Sequence, residues 1–142
     1  MKTKNEMKLS FPSKSCNESF ARAAVAAFVM NLDPTVEELS DLKTAVSEAV
    51  TNCIVHGYRR GAGTVFITAK IFEDNRVVVK IRDRGCGIED VKQAMQPLFT
   101  TAPDEERAGL GFAVMQSFCD AVRVSSKPQK GTTVTLEKYI AV

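Results

Sequence analysis

The strongest constraint on this chain is a change of hydrophobic period part-way along it. From Val36 to His56, the residues Leu39, Leu42, Val46, Ala49, Val50 and Cys53 recur at helical spacing. From Gly63 onward, "GTVFITAKIFED" and "NRVVVKIRD" alternate at a period of two, with Asp74-Asn75 between them. That pattern predicts a β-hairpin. Two further alternating runs, "AVRVSSK" and "GTTVTLEKYI", flank a Pro128–Gly131 turn. A chain that places helices before and between hairpins must bury one face of the sheet under those helices.

The remaining elements follow from local signals. "MKLSFPS" reads as an edge strand ended by Pro12. Ser15 with Glu18 forms a capping-box pattern, followed by an apolar stripe of Phe20, Ala23, Ala24, Ala27 and Phe28. Thr35 with Glu38 repeats that pattern after Pro34, and Gly57 fits a C-terminal cap. "EDVKQAM" and "LGFAVMQSFCD" read as a short and a longer helix on either side of the polar segment "PLFTTAPDEERAG". The expected fold is α+β: a two-layer sandwich of a mostly antiparallel mixed sheet with helices on one face. The 142 residues form a single domain, 1–142.

Composition narrows the function classes. A net charge of +2 gives no nucleic-acid footprint, and no apolar run reaches a membrane span. No signal-peptide core follows the N-terminal charges, so the expected location is cytoplasmic. Cys16, Cys53, Cys86 and Cys119 are widely spaced beside a single histidine, which argues for reduced thiols and against zinc.

Three motifs carry chemistry. In "EAVTN", Glu48 and Asn52 lie one helical turn apart on one face, and Glu48 has no cation at i±3 or i±4. An amide oxygen suits Mg2+, and a carboxylate can take a proton from a hydroxyl. A solvated helix face is the plain alternative. In "DRGCGI", Asp83 closes a strand, where a carboxylate can accept from an exocyclic amine. Gly85 and Gly87 allow backbone to approach a flat ring; a polar turn is the alternative. In "AGLGF", Gly109 and Gly111 open a helix whose free amides favour an anion, although simple glycine-rich helix entry accounts for them as well. The polar segment from Pro97 to Arg107 is expected to act as a lid. No P-loop is present, and "GLGFAV" lacks both the third glycine and the preceding strand of a dinucleotide fingerprint.

The order of these motifs resembles one superfamily, the ATP-binding fold of gyrase, the heat-shock chaperone ATPase, histidine kinases and mismatch-repair ATPases. Within it, "EAVTNCIVHGY", "QPLFTT" and "ERAGLGF" resemble the small bacterial serine kinases that act as anti-sigma factors, those of sporulation above all. The resemblance implies that Asp83 binds the adenine amine and that Gly85, Gly87 and Ile88 line the base pocket. It implies phosphate contacts from Gly109, Leu110 and Gly111, with Thr100 and Thr132 also at the nucleotide. Asn52 would ligate Mg2+, and Glu48 would be the general base. To this we add Arg107, whose guanidinium near the γ-phosphate would offset developing charge; a solvated charge is the alternative.

The implied cofactors are ATP and Mg2+. The implied partners are a sporulation-type sigma factor, an anti-anti-sigma protein carrying the acceptor serine, and a second copy in a homodimer. Direct nucleic-acid or membrane contact is not implied. Two other functions stay open at this point: an ATP-dependent binding module without kinase activity, and a gyrase-type ATPase fragment. A retained Glu48 speaks against the first and chain length against the second. Cys86, between the two glycines, reads as simply a small residue, and a thiol that makes binding sensitive to oxidants is the alternative.

Overall fold

A computed structural model describes residues 2–95 and 111–141 of the chain. Strand β1 (Thr3–Pro12) leads to helix α1 (Asn17–Val29) and a 3-10 turn (Met30–Leu32). Helix α2 (Val36–Thr51) runs on into a π-helical turn (Asn52–Gly57). Strands β2 (Thr64–Phe72) and β3 (Arg76–Asp83), the short helix α3 (Val91–Ala94), helix α4 (Gly111–Phe118), and strands β4 (Ala121–Lys127) and β5 (Gly131–Tyr139) complete the order. The sheet order is β1-β2-β3-β5-β4, and all four pairings are antiparallel. The fold is α+β, as expected. Thr100, Arg107, Gly109, Leu110 and the segment 97–107 lie outside the described residues.

The period-two pattern sorts the sheet into two faces. Val65, Ile67, Ala69 and Ile71 of β2 and Val77, Val79 and Ile81 of β3 point under the helices and are buried. Burying one such side chain contributes about 1.5–3 kcal/mol. The other face keeps its aromatics under cations, with Arg76 over Phe72 and both Arg82 and Arg84 against Phe66. The hairpin turns at Asn75, whose φ of 62° is the left-handed conformation that asparagine tolerates.

Helix α2 is the centre of the helical layer. Thr35 and Glu38 form the expected reciprocal cap, at 3.0 and 2.9 Å. Glu38 also accepts from the Ala141 amide, which ties the chain's end to this helix start. The expected cap on α1 does not form. Cys16 is the N-cap residue and no side chain caps the helix, because Glu18 instead accepts from Thr51 Oγ1 on α2 at 2.9 Å. Arg22 likewise reaches Ser47 of α2. The core face of α1 is Ala21, Val25 and Val29; of the stripe that the spacing suggested, Phe28 packs against the core, whereas Phe20, Ala23 and Ala27 are exposed.

Candidate nucleotide site

The β3 strand delivers Asp83 to the end of the sheet, directly beneath the π turn. Its register partner across the sheet is Thr132 of β5. Asp83 is only 4% exposed. Its Oδ1 accepts from the Gly85 amide at 2.9 Å, and the Thr132 amide and the Cys53 thiol also donate to the carboxylate. Burial pushes this carboxyl above its ordinary value, and the three donors offset only part of that. Burial, followed by the neighbouring Asp83 charge, pushes the Cys53 thiol well up, so it stays protonated as a donor.

The π turn sets this geometry. Widening the helix at Asn52–Gly57 brings Gly57 against Asp83, where a Cβ would lie 2.7 Å from the carboxylate carbon. Gly57 is therefore glycine for a close approach, and the expected cap role is corrected. A similar correction applies to Gly85 and Gly87. A Cβ on Gly85 would stand 2.0 Å from the Gly57 carbonyl oxygen, and Gly85 does not line the cavity. Gly87, at φ +76°, would place a Cβ 2.0 Å from the Lys127 oxygen. Backbone crossing, rather than a ring, demands these two glycines. Between them, Cys86 donates its amide to Gly57 O at 2.9 Å and its thiol to His56 O at 3.2 Å.

A cavity of about 720 Å³ opens over this floor. Asp83, Cys53, Gly87, Ile88 and Thr132 line one end, and Glu48, Asn52 and Gly111 also line it. The Ile88 amide donates to Ser126 Oγ at 2.8 Å, which fixes the loop over β4. Ser126 Oγ also lies 2.7 Å from Thr132 Oγ1, so the Thr132 hydroxyl is held from behind. Tyr58 closes the outside of the loop: its hydroxyl accepts from the Arg84 amide and donates to Thr64 O.

Glu48 is 6% exposed, which removes the solvated-face alternative. Gly111, the first described residue of α4, sits on this pair. A Cβ there would be 3.5 Å from both amide atoms of Asn52 and 3.6 Å from Glu48 Oε2. Asn52 Nδ2 is buried with no hydrogen-bond partner among the described residues. Such an amide is costly unless something completes it. A phosphate oxygen on Nδ2 and a hard cation on Oδ1 would do so, and the donor set fits Mg-nucleotide chemistry. Among the described residues no cluster of three His, Cys, Asp or Glu could hold a metal alone.

The Histidine kinase-like ATPase domain model matches residues 11–138. The chain is 59% identical over 140 residues to the Anti-sigma F factor of Caldanaerobacter subterraneus subsp. tengcongensis, covering 99% of this chain and 97% of that protein. The chain belongs to the anti-sigma F factor family. Another member, from Geobacillus kaustophilus, is 54% identical over 97% of this chain and 94% of its own length. Solved structures agree on the fold. The RsbU and RsbW domains of Rv1364c from Mycobacterium tuberculosis superpose with a TM-score of 0.70 at 19% identity, covering 96% of this chain and 32% of that one. The SiaB–SiaC complex from Pseudomonas aeruginosa gives 0.63 at 15% identity, covering 92% and 88%. The family's ATPase-type domain thus spans nearly the whole chain, and no described helix is long and apolar enough to cross a membrane.

Sequence reasoning singled out Glu48, Asn52, Asp83, Gly87, Ile88, Gly111 and Thr132, and the fold brings all seven to one cavity. It missed Cys53, which it took for a core position, and Gly57. Their signal was present in "NCIVHG" only as a helix that runs one turn too far. Tyr58 and Ser126 carried no local signal.

Proposed function

We propose that this chain is an anti-sigma factor that is also an Mg-ATP-dependent protein serine kinase. It would hold a sporulation-type sigma factor inactive and phosphorylate a serine of an anti-anti-sigma protein. The observation that carries this reading is the shared cavity, with the buried Asp83 on one element and the buried Glu48 and the unsatisfied Asn52 on another. The names of the relatives supply the sigma factor, and the RsbW and SiaB–SiaC neighbours share the fold.

In this reading Asp83 accepts the adenine amine, with Cys53, Gly85 and Thr132 aiming its carboxylate. Ile88 and Gly87 line the base, and the Thr132 hydroxyl lies beside it. Asn52 holds Mg2+, which when bound neutralises phosphate charge. Glu48 takes the proton of the attacking serine hydroxyl, and its buried position keeps bulk water from that proton. Gly109, Leu110 and Gly111 give amides to the phosphates. Thr100 and Arg107 complete the nucleotide side. The working unit is a homodimer.

The test is phosphate transfer from radiolabelled Mg-ATP to candidate anti-anti-sigma proteins, with sigma binding measured in parallel. Label on a serine supports the kinase. ATP-dependent sigma binding with no transfer to any candidate leaves a binding module instead.

A further inference from the structure

The alternation of β3 sends its charges to two different places. Asp83 turns to the cavity side and is buried. Lys80, Arg82 and, just past the strand, Arg84 are exposed on the opposite, helix-free face of the sheet. Two carboxylates on the strands of that face are already matched. Glu6 of β1 lies 3.7 Å from both Lys8 and Lys70, and Glu137 of β5 accepts from Arg76 at 3.3 Å and Arg123 at 3.0 Å. Among the described residues, no carboxylate pairs with Lys80, Arg82 or Arg84. These three stand in file along the central strand, with about 6.6 Å of backbone between one and the next. That is inside the screening length of about 8 Å at physiological salt, so the file repels itself and attracts an anion. The register fixes its borders: Lys80 lies between Thr68 and Thr135, and Arg82 between Phe66 and Thr133. Arg82 and Arg84 both rest against the Phe66 ring, at 4.9 and 4.7 Å. A guanidinium held by stacking keeps N–H groups free for a carboxylate.

We propose that the Lys80–Arg82–Arg84 file is a docking surface for an extended acidic segment of a partner protein. Alternate side chains of an extended chain recur at the same spacing of about 6.6 Å, so carboxylates at every second position meet the three cations one to one. A second copy of this face does not fit, because it would set the same cations against each other. Single-stranded nucleic acid stacks its bases on free aromatic faces, and Phe66 already carries two guanidiniums. A membrane surface takes up apolar side chains, and the exposed large apolar residue of this sheet, Tyr139, lies level with Arg76 at the far end of β3. Because the file and the Asp83 cavity lie on opposite faces, this surface stands independently of the kinase reading.

The test is fluorescence anisotropy of a labelled decapeptide of alternating Glu and Thr, titrated with the full chain. Lys80→Glu with Arg82→Glu should raise its dissociation constant at least about tenfold, and Lys80→Glu alone, which has no ion pair to lose, severalfold. Lys14→Glu with Lys130→Glu makes the same change of net charge away from the file and should stay within about twofold of wild type. Melting temperature and ATP affinity, measured on each variant, should remain near wild type. Equal loss in both double variants, or no saturable binding by the wild type, overturns the proposal. Tighter binding of an oligothymidylate of equal charge, or of phosphatidylserine vesicles, lost in the Lys80→Glu, Arg82→Glu variant, also overturns it and assigns the face to nucleic acid or to a membrane surface.

Discussion

Gly57 leaves its Cα open to the Asp83 carboxylate, and a Cβ at that position would fall 2.7 Å from Asp83 Oδ2. The π turn and the buried Asp83 carboxylate are thus one fitted unit. Gly57→Ala should push Asp83 out of position. Overpacking of this kind costs about 1–3 kcal/mol. Calorimetry should show ATP affinity reduced about tenfold or more, while circular dichroism shows the same helix content.

Asp83→Asn separates binding from stability. An amide loses the charge-assisted bond, so ATP affinity should fall about tenfold to a hundredfold. Stability moves the other way with pH. The folded-state value of Asp83 is raised by burial, so its contribution to stability is fully present below the unfolded aspartate value. It is lost as pH rises through the folded value. Asn does not titrate. In the ligand-free protein, wild-type stability minus that of Asp83→Asn should therefore decrease as pH climbs from the acidic side to neutrality. Thermal melts of both proteins at several pH values would check the sign; a difference that grows with pH counts against it.

Gly85 and Gly87 answer to the backbone they touch. Gly85→Ala meets the Gly57 carbonyl, and Gly87→Ala meets the Lys127 carbonyl at a positive φ. Neither obstacle is a flexible side chain, so both variants should be destabilised by about 1–3 kcal/mol even without nucleotide. Chemical denaturation measures this directly. A wild-type midpoint with only ATP affinity reduced would restore the ring-approach explanation.

The helix cap supplies a contrasting case. Thr35 and Glu38 satisfy each other at the start of α2, far along the helix from Glu48. Thr35→Ala should cost about 0.5–2 kcal/mol of stability. ATP affinity and phosphate transfer should stay at wild-type values at temperatures where the variant is folded.

What was legible in the sequence depended on range. The β2–β3 hairpin and the Thr35–Glu38 box are set by neighbours a few residues apart, and the structure keeps both. The Ser15–Glu18 box has the same local signal, yet Thr51, thirty-three positions on, takes the Glu18 carboxylate. The apolar periodicity of α1 is genuine, but periodicity cannot say which of two apolar faces meets the sheet. Asp83 was visible because an acid followed by spaced glycines is unusual at a strand end. Cys53 and Gly57 were not, because their role comes from a helix widening that no local pattern encodes.

Glu48 and Asn52 make the most informative pair of substitutions. Both side chains lie against the start of α4, as the 3.5–3.6 Å distances from a Gly111 Cβ show. Their proposed duties differ. Glu48 acts on the serine hydroxyl, so Glu48→Gln keeps shape and polarity but cannot take the proton. Loss of a general base typically slows a reaction about 10²–10⁴-fold. ATP affinity and ATP-dependent sigma binding should stay near wild type in that variant, since neither needs the proton to move. Asn52 is proposed to hold the metal, and Asn52→Ala should lower ATP affinity and transfer together. Because Asn52 Nδ2 has no partner among the described residues, removing it should not destabilise the ligand-free protein and should raise its melting temperature slightly. Transfer rate, ATP affinity, sigma binding and melting temperature are to be measured on the same two variants. Normal transfer in Glu48→Gln refutes the base assignment. Transfer lost only in step with ATP affinity would make Glu48 a ligand or packing residue. A strongly destabilised Asn52→Ala would mean that the amide already has its partner within the protein.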